Sequence, residues 1–354
     1  MSSNFDFRYL SISPEQDTVS PTKSFTYGTA SAASTVIYGE ADDESFAHMF
    51  DLMTRGDMSR YGAAKSVNGK EYSEGGLNMV IQPDSFFLML LYGIYGDNDD
   101  LTSTALGYST GTYTFKEATD HILPSFTIKV GREDRQHTYT GMVMSRLSVS
   151  ATVGEYATVS ADFNGKAEST PDGLAAPTFS GAAVDGFHFA EGAITFSSDD
   201  ATTTTSSLIK SISFEVNTNL NTDDACSIGS QTYTRKPEPQ MREITGSVEF
   251  SRPVVATGTE EPDYTSLVAS DGLLYDGGQT QPAIKLAFTN AGGDNFTFEI
   301  RRCRWEAPSM NVSGRDSSTM SVNFVALMDT SDNVMTEASL DLQTITPLGA
   351  INTL

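Results

Sequence analysis

The sequence predicts a mainly β protein in which one β domain occurs twice along the chain. Three observations support this prediction: short segments alternate apolar and polar residues, helical patterns are scarce, and the order of elements in the first half recurs in the second. The length of 354 residues agrees with two domains of ordinary size.

Alternation with a period of two places one set of side chains inward and the other outward, as a half-buried strand requires. Clusters of Gly, Asn, Asp and Ser separate the alternating segments, as turns between strands require. The clearest segments are residues 126–130, 159–163, 212–216, 248–250, 284–288 and 296–300. The four-threonine run 202–205 is predicted to be an exposed loop before a strand at Leu208.

Three segments are predicted helices, and the strongest prediction covers residues 84–95. A Pro-Asp-Ser sequence supplies its start, and two glycines weaken its end. Apolar residues surround its whole axis, so this helix must be buried in the core or under a neighbouring subunit. The other two candidates are residues 263–274, which follow Pro262, and residues 44–55.

The internal repeat is a succession of strand, helix and closing strands. In the first half it comprises residues 75–81, the helix at Asp84, and residues 124–128, 139–149 and 157–163. In the second half it comprises residues 244–250, the helix near Asp263, and residues 282–286, 296–305 and 319–324. An irregular stretch rich in Pro, Gly, Ala and Ser separates the halves. The predicted domains are therefore 1–170 and 185–354, joined by a linker at 171–184.

Composition excludes several classes of protein. The formal charge of −24, from 22 Lys+Arg and 46 Asp+Glu, argues against a non-specific grip on nucleic acid or on anionic membrane. The longest strongly apolar run, residues 86–91, is far shorter than the roughly 20 residues that span a bilayer. The N-terminus lacks the basic and apolar regions of a secretory signal.

No set of residues predicts catalysis. Residues 107–111 match the nucleophile-elbow pattern around Ser109, but strand-like residues follow where a helix is needed. A hydrolase using Ser109 stays an alternative without a recognisable histidine partner. No two of the histidines have the i, i+4 spacing of a helical zinc site, and no cysteine is near them; they are His48, His121, His137 and His188. The sequence predicts no catalytic, cofactor-binding or metal-binding residue, and no enzyme.

Several smaller features leave alternatives open. Residues 97–100 are a solvated turn or a site for a hard cation. Asn295 and Asn311 begin glycosylation sequons, which matter only in a glycosylating host. The basic cluster 301–305 is a nucleic-acid patch or, as we favour, a source of intersubunit salt bridges.

The two cysteines, Cys226 and Cys303, are predicted to be free thiols, with a disulfide between them as the alternative. Two isolated thiols are the commoner case in a protein that is made inside a cell.

Three stretches together resemble the tail tube (major tail) proteins of long-tailed double-stranded DNA viruses, the siphoviruses. The first is residues 65–69 followed by 75–84, a strand that leads into a short apolar helix. The second is residues 123–166, a β-meander with Gly141, Ser145, Ser148 and the sequence Phe-Asn-Gly-Lys at its end. The third is the equivalent meander at residues 284–328.

The resemblance implies two antiparallel β-sandwich or barrel tube domains, each with a short flanking helix. Subunits of this family self-assemble into rings whose inner strands form one channel, and the rings stack into the virion tail tube for genome ejection. The implied partners are further copies of the chain, the tape-measure, terminator and baseplate or tip proteins at the tube ends, and double-stranded DNA that passes without specific binding. The resemblance implies neither a membrane partner nor a cofactor. It also implies that the protein is made in the host cytoplasm.

Two further expectations concern stoichiometry and solvent. If both domains line the channel, three chains make a ring with pseudo-sixfold shape; if only the first does, the ring is a true hexamer decorated by the second. We favour the trimer, because the order of helix and meander recurs in the second half at residues 263–329. The acidic, lysine-poor composition suggests a halophilic setting, with an ordinary acidic phage protein as the alternative. The competing function is a virion-surface or extracellular β-sandwich that binds carbohydrate.

Overall fold

The computed structural model describes residues 8–15, 27–29, 36–56, 61–63, 65–96, 111–117, 122–132, 135–173, 185–198, 202–205, 209–250, 282–306, 309–311, 319–329 and 334–342. These residues form mostly antiparallel β-structure with one α-helix, which confirms the predicted fold class. The predicted helix at 263–274 lies outside the described residues.

Within the described part of the first half there are ten strands and the helix. They are β1 (Tyr9–Pro14), β2 (Ile37–Gly39), β3 (Asp43–Glu44), β4 (Ala47–Arg55), β5 (Lys65–Val80), α1 (Ser85–Tyr95), β6 (Gly111–Lys116), β7 (Phe126–Arg132), β8 (Arg135–Thr152), β9 (Thr158–Gly165) and β10 (Ala167–Gly173).

The second half begins with a 3₁₀ turn, Phe189–Glu191, and continues with strands. They are β11 (Gly192–Ser198), β12 (Thr202–Thr205), β13 (Ile209–Asn217), β14 (Leu220–Asn221), β15 (Glu238–Pro239), β16 (Glu243–Phe250), β17 (Ala283–Thr289), β18 (Asn295–Ile300), β19 (Cys303–Trp305), β20 (Ser309–Asn311), β21 (Thr319–Ala326) and β22 (Thr336–Leu342).

Two large antiparallel sheets enclose the core. The larger contains the succession β19-β21-β16-β13-β8, continued by β9, β5 and β4, and the other has the order β12-β11-β17-β18-β22-β6. Strand β8 belongs to two layers, because its first part pairs with β7 and β10 and its second part pairs with β9 and β13. One contiguous cluster of buried apolar side chains fills the interior.

The two halves carry the same pattern of strand pairing. In the first half β5 pairs with β4 and β9, β7 pairs with β1 and β8, and β1 pairs with β2. In the second half β16 pairs with β13 and β21, β17 pairs with β11 and β18, and β11 pairs with β12. The element order read from the sequence therefore recurs as an order of hydrogen-bonded neighbours.

The correspondence extends to single residues around Gly75 and Gly246. Gly75 lies opposite Phe163, and Gly246 lies opposite Phe324. On the other side, Gly246 faces Phe214, whereas Glu44 pairs with Leu77 and Ala47 with Glu74, which places Phe46 opposite Gly75. In each half, aromatic rings thus flank a glycine on both neighbouring strands, an arrangement that covers the bare glycine backbone.

Helix α1 begins at an N-cap and ends at a glycine. The Asp84 carboxylate accepts a hydrogen bond from Phe87 N at 2.8 Å, and Gly96, at φ 92°, donates its N–H to Tyr92 O. Every residue of the helix except Ser85 is buried, which confirms the predicted burial.

The helix packs between elements of both halves of the chain. Its ring contacts include Phe87 with Phe296 of β18, centroids 4.9 Å apart, and Tyr95 with Phe115 of β6. The helix therefore lies in the core of the described chain, beneath the place where the halves meet.

Two sequence predictions of local structure are wrong. Residues 44–55, predicted as a helix, belong to β3 and β4, which pair with β5. Phe46, Met49, Phe50 and Met53 have helical spacing, but pairing with the next strand, β5, overrides that local pattern. Thr202–Thr205, predicted as a loop, forms β12 and pairs with β11, as the strand preference of β-branched threonine favours.

Candidate functional site

One face of the larger sheet is polar across strands β21, β16, β13, β8, β9 and β5. Alternation turns residues such as Leu147, Val149 and Phe214 into the core and leaves short polar side chains on the opposite face. One row across the sheet consists of Asp43, Asn78, Ser160, Ser148, Glu215 and Thr245. The next row consists of Thr158, Ser150, Ser213, Ser247 and Asn323.

On this face Arg146 of β8 lies between two carboxylates, and Arg304 of β19, opposite Val325, lies at the end of the first row. Arg146 Nη2 lies 2.6 Å from Asp162 Oδ2 on β9, and Arg146 Nη1 lies 3.2 Å from Glu215 Oε2 on β13. The hydrogen bond to Asp162 raises the pKa of Arg146, so the guanidinium stays charged. Among the described residues of this face, the carboxylates of Asp43, Asp162, Glu215 and Glu249 outnumber the bases Arg146 and Arg304, and the resulting negative charge repels phosphate.

The polar face crosses the seam between the two halves without interruption. At this seam, residues 211–217 of β13 pair with residues 146–152 of β8, and Phe214 lies opposite Val149. In the second sheet, β6 of the first half pairs with β22 of the second. Strands from both halves thus form one surface.

A buried polar cluster ties the seam together beneath the sheet. Glu117 accepts hydrogen bonds from Met335 N at 3.1 Å and from Thr336 N at 3.0 Å. Arg242 Nη2 donates to Ile94 O, near the end of α1, at 2.7 Å, and its Nη1 lies 3.9 Å from Glu117 Oε1. Burial lowers the pKa of Arg242, and Glu117 opposes that effect.

The ends of the large sheet are open edges among the described strands. There, β4 pairs with β5, while β19 and β20 pair with β21, and no described strand lies beyond them. Strand β4 also exposes Phe50 (53%), Leu52 (60%) and Met53 (59%). A free strand edge with exposed apolar side chains favours association with another chain.

A family model described as phage tail tube protein matches residues 22–326. The chain belongs to the phage tail tube protein family. The resemblance inferred from the sequence is therefore confirmed, and this family member is a structural component of the virion tail. No curated protein matches the chain.

Among solved structures, this tail tube protein is similar to the SPP1 tail tube, a hybrid structure from solid-state NMR and cryo-electron microscopy. The identity is 11% and the TM-score 0.30, over 46% of this chain and 84% of that chain.

The described histidines that the sequence analysis considered as metal ligands do not come together in the structure. His137 Nδ1 lies 2.6 Å from Glu168 Oε1, His188 caps the 3₁₀ turn, and His48 lies exposed on β4. His121, Ser109 and residues 97–100 lie outside the described residues. Within the described ranges, no group of three His, Cys, Asp or Glu side chains could hold a metal ion, and no helix has the length and hydropathy of a membrane span.

The basic cluster 301–305 does not form one patch. Arg301 pairs with Glu337 and Glu299 of the same chain, and the intersubunit salt bridges expected of this cluster stay a prediction. Trp305 packs against Phe196 and Phe324 and offers no exposed platform for carbohydrate. Arg304 is exposed, and Cys303 is buried.

Both cysteines of this tail tube protein are free thiols, as the sequence predicts. Cys303 is buried, where burial raises the pKa of its thiol to about 12, while Cys226 is half-buried.

Sequence reasoning missed Arg146, Arg242 and Glu117. Arg146 interrupts a serine-rich alternation on β8, a visible signal, but its partners come from two other strands. Arg242 and Glu117 are far apart in the sequence, and nothing local indicates that they meet.

Proposed function

We propose that this chain self-assembles into stacked rings that form the tail tube, and that the tube is the channel for genome delivery into the host cell. The observation that carries the proposal is the unbroken polar face, net acidic, between two open sheet edges. Joining such edges removes the liability of unpaired strands, and an acidic lining lets DNA pass without adhesion.

For the ring we propose three chains with pseudo-sixfold shape, built from domains 1–170 and 185–354 with a linker at 171–184. Support comes from the matching strand pairings, since each half supplies four neighbouring strands to the polar sheet. They are β4, β5, β9 and the second part of β8 in the first half, and β13, β16, β21 and the β19–β20 segment in the second. Three chains would give a barrel of about 24 strands, with a circumference of roughly 115 Å and a diameter of roughly 37 Å before strand tilt widens it.

Other tail proteins would bind at the tube ends: a tape-measure protein, a terminator, and a baseplate or tip protein. Double-stranded DNA would be a passing occupant of the lumen. We also propose a high-salt setting, because a charge of −24 repels itself unless counterions screen it.

Electron microscopy of the purified protein tests the proposal. We expect hollow tubes or rings in negative stain, and three chains per ring in a cryo-electron microscopy map. Monodisperse monomers would overturn the tube function. Six complete chains per ring, with residues beyond about 190 projecting outward, would overturn the trimer and retain the tube.

A further inference from the structure

We propose that the second half of the chain braces a hairpin of the first half. The hairpin arm comprises residues 49–55 of β4 and 65–72 of β5, and the brace is the connection at residues 222–236. The brace fixes the direction in which the arm extends from the larger sheet. This inference goes beyond the proposed tube function and does not depend on it.

The arm extends past the strand that flanks β5 in the sheet. Strand β9 pairs with β5 only as far as Ser73, opposite Gly165, whereas β4 and β5 stay paired as far as Arg55, opposite Lys65. Strand β10 lies near both strands of the arm. Because a two-stranded hairpin alone is marginally stable in water, the arm depends on contacts with other parts of the chain.

The brace occupies the edge of β5 that β9 leaves free. Glu71 already pairs with Phe50 of β4 on one side, and on the other it forms a parallel bridge with Thr232. Glu71 donates its N–H to Gln231 O at 2.8 Å, and Gln231 Nε2 donates to Asn68 O at 2.8 Å. The brace thus holds backbone groups of the arm through both its own backbone and a side chain.

Two stacked tyrosines and a lysine form the second part of the contact. Tyr72 of the arm and Tyr233 of the brace stack with their centroids 6.2 Å apart and their planes 7° apart. The Lys70 ammonium lies 5.6 Å from the centroid of Tyr72 and 5.1 Å from that of Tyr233. It also donates to Thr222 O at 3.2 Å. Because Tyr233 is buried, the cation–π interaction is partly shielded from water, which strengthens it.

The brace is itself anchored to the rest of the chain. Its ends lie next to β14 and β15, which pair with each other. The Lys236 side chain donates to Leu123 O at 2.5 Å. Within the brace, Thr234 donates its N–H to Ala225 O at 2.8 Å. A loop that is fixed at its ends and across its middle can support the arm, because little further conformational entropy is lost on contact.

The arm and the brace are corresponding parts of the two halves. Strands β13 and β16 pair as β4 and β5 do, with Gly246 in the place of Gly75. The connections between the matched strands have similar lengths, residues 47–74 and 215–245. In the first half the connection continues as a paired hairpin, whereas the pairing of β13 with β16 ends at Asn217. Each chain therefore has one extended hairpin, and the corresponding connection of the other half supports it.

Hydrogen exchange of the dilute, full-length chain tests the brace. Tyr233→Ala removes the stacked ring from the brace, and Lys70→Met removes the ammonium from the arm. We expect amide exchange in the arm to become roughly tenfold faster in Tyr233→Ala and at least roughly threefold faster in Lys70→Met. Strands β13 and β17 should keep their wild-type rates. Lys70→Met leaves the buried Tyr233 in place, so it decides the question if Tyr233→Ala fails to fold.

Cys226 supplies a second readout, because it is half-buried within the brace, whereas Cys303 is buried. The reaction of Cys226 with a maleimide should become faster in Tyr72→Ala, although that substitution lies on the arm. Tyr156→Ala changes an exposed tyrosine in the turn between β8 and β9. It is the matched control and should change neither the maleimide rate nor the exchange of the arm.

Three results would overturn the inference. They are unchanged exchange of the arm in both Tyr233→Ala and Lys70→Met, an unchanged Cys226 rate in Tyr72→Ala, and an equal rise of exchange in β13 and β17. The last result would mean that the contact holds the whole fold. Because the test needs no tubes, its failure leaves the tube function standing. Absence of tubes from the wild-type chain would overturn the tube function and leave the brace standing.

Discussion

Strands β13 and β4 hold the same position in the two halves but have different surroundings. Each has an inward phenylalanine within it or directly before it: Phe214 of β13 stacks on Phe298, with centroids 3.8 Å apart, and Phe46, the residue before β4, packs beside Tyr139 and Phe163. Beyond that anchor, β13 alternates buried and half-buried residues, because β8 covers its second edge, whereas β4 is mostly exposed. Among the described strands only β5 pairs with β4, and its second edge is uncovered, which accounts for its exposure.

The largest expected effect comes from a charge placed in helix α1, which lies beneath the seam between the two halves. Leu88→Asp should destabilise the chain by about 5 kcal/mol or more, because it buries an unpaired charge in the helix that supports both halves. Chemical denaturation and microscopy are the measurements. Ser85→Asp, at the one helix residue that is not buried, should fold and assemble. Normal tubes from Leu88→Asp would contradict the buried position.

A paired substitution compares the two strands directly. Phe214→Ala should cost about 3–5 kcal/mol in the free energy of unfolding, because it empties a core position. Phe50→Ala should change the unassembled chain by no more than about 0.5 kcal/mol but should weaken ring formation. Denaturation of dilute protein measures the first effect, and sedimentation the second. If Phe50→Ala assembled as well as the wild type, β4 would have no part in the ring contact.

The buried pair of Arg242 and Glu117 should contribute more to the free energy of unfolding than the partly exposed pair of Arg146 and Asp162. Arg242→Leu should cost about 3–5 kcal/mol, because Glu117 then stays buried without its cation. Arg146→Gln should cost no more than about 1 kcal/mol, since that pair is partly exposed. Adding Glu117→Gln to Arg242→Leu should recover part of the loss in a double-mutant cycle. Equal costs for Arg242→Leu and Arg146→Gln would contradict this ranking.

The helix N-cap predicts a pH dependence. Burial raises the pKa of Asp84 from 3.8 to about 7, so the carboxyl favours the folded state when protonated. That contribution is fully present below about pH 4 and is lost as the pH rises through 7. Asp84→Asn keeps a good cap and should stabilise the chain on the order of 2 kcal/mol at pH 8, with little effect near pH 4. A difference independent of pH would refute the assignment.

A change in salt concentration should give the smallest effect on stability. It should act on the charged surface and not on the apolar contacts of the core. If the proposed high-salt setting is right, molar salt should raise the Tm by at least roughly 2–4 °C, equivalent to ~1 kcal/mol, by screening self-repulsion. The stability difference between wild type and Phe214→Ala should not change with salt, because that contact is apolar. A Tm that is indifferent to salt would remove the halophile proposal.

The sequence by itself determined the mainly β class, the family, the inward residues of the alternating strands and the buried helix. Each of these depends on a local pattern: a period of two, a cap before an apolar run, or an order of elements. Residues 126–130 and 159–163 became strands because their alternation fits a sheet with one buried face.

The tertiary structure alone decided which strands meet. It turned residues 44–55, with their helical spacing, into an edge strand, and brought Arg146 between Asp162 and Glu215. It also placed Arg242 beside Glu117 under the seam. Strand pairing depends on hydrogen bonds between separate segments of the chain, and the pattern within one segment does not record its partner.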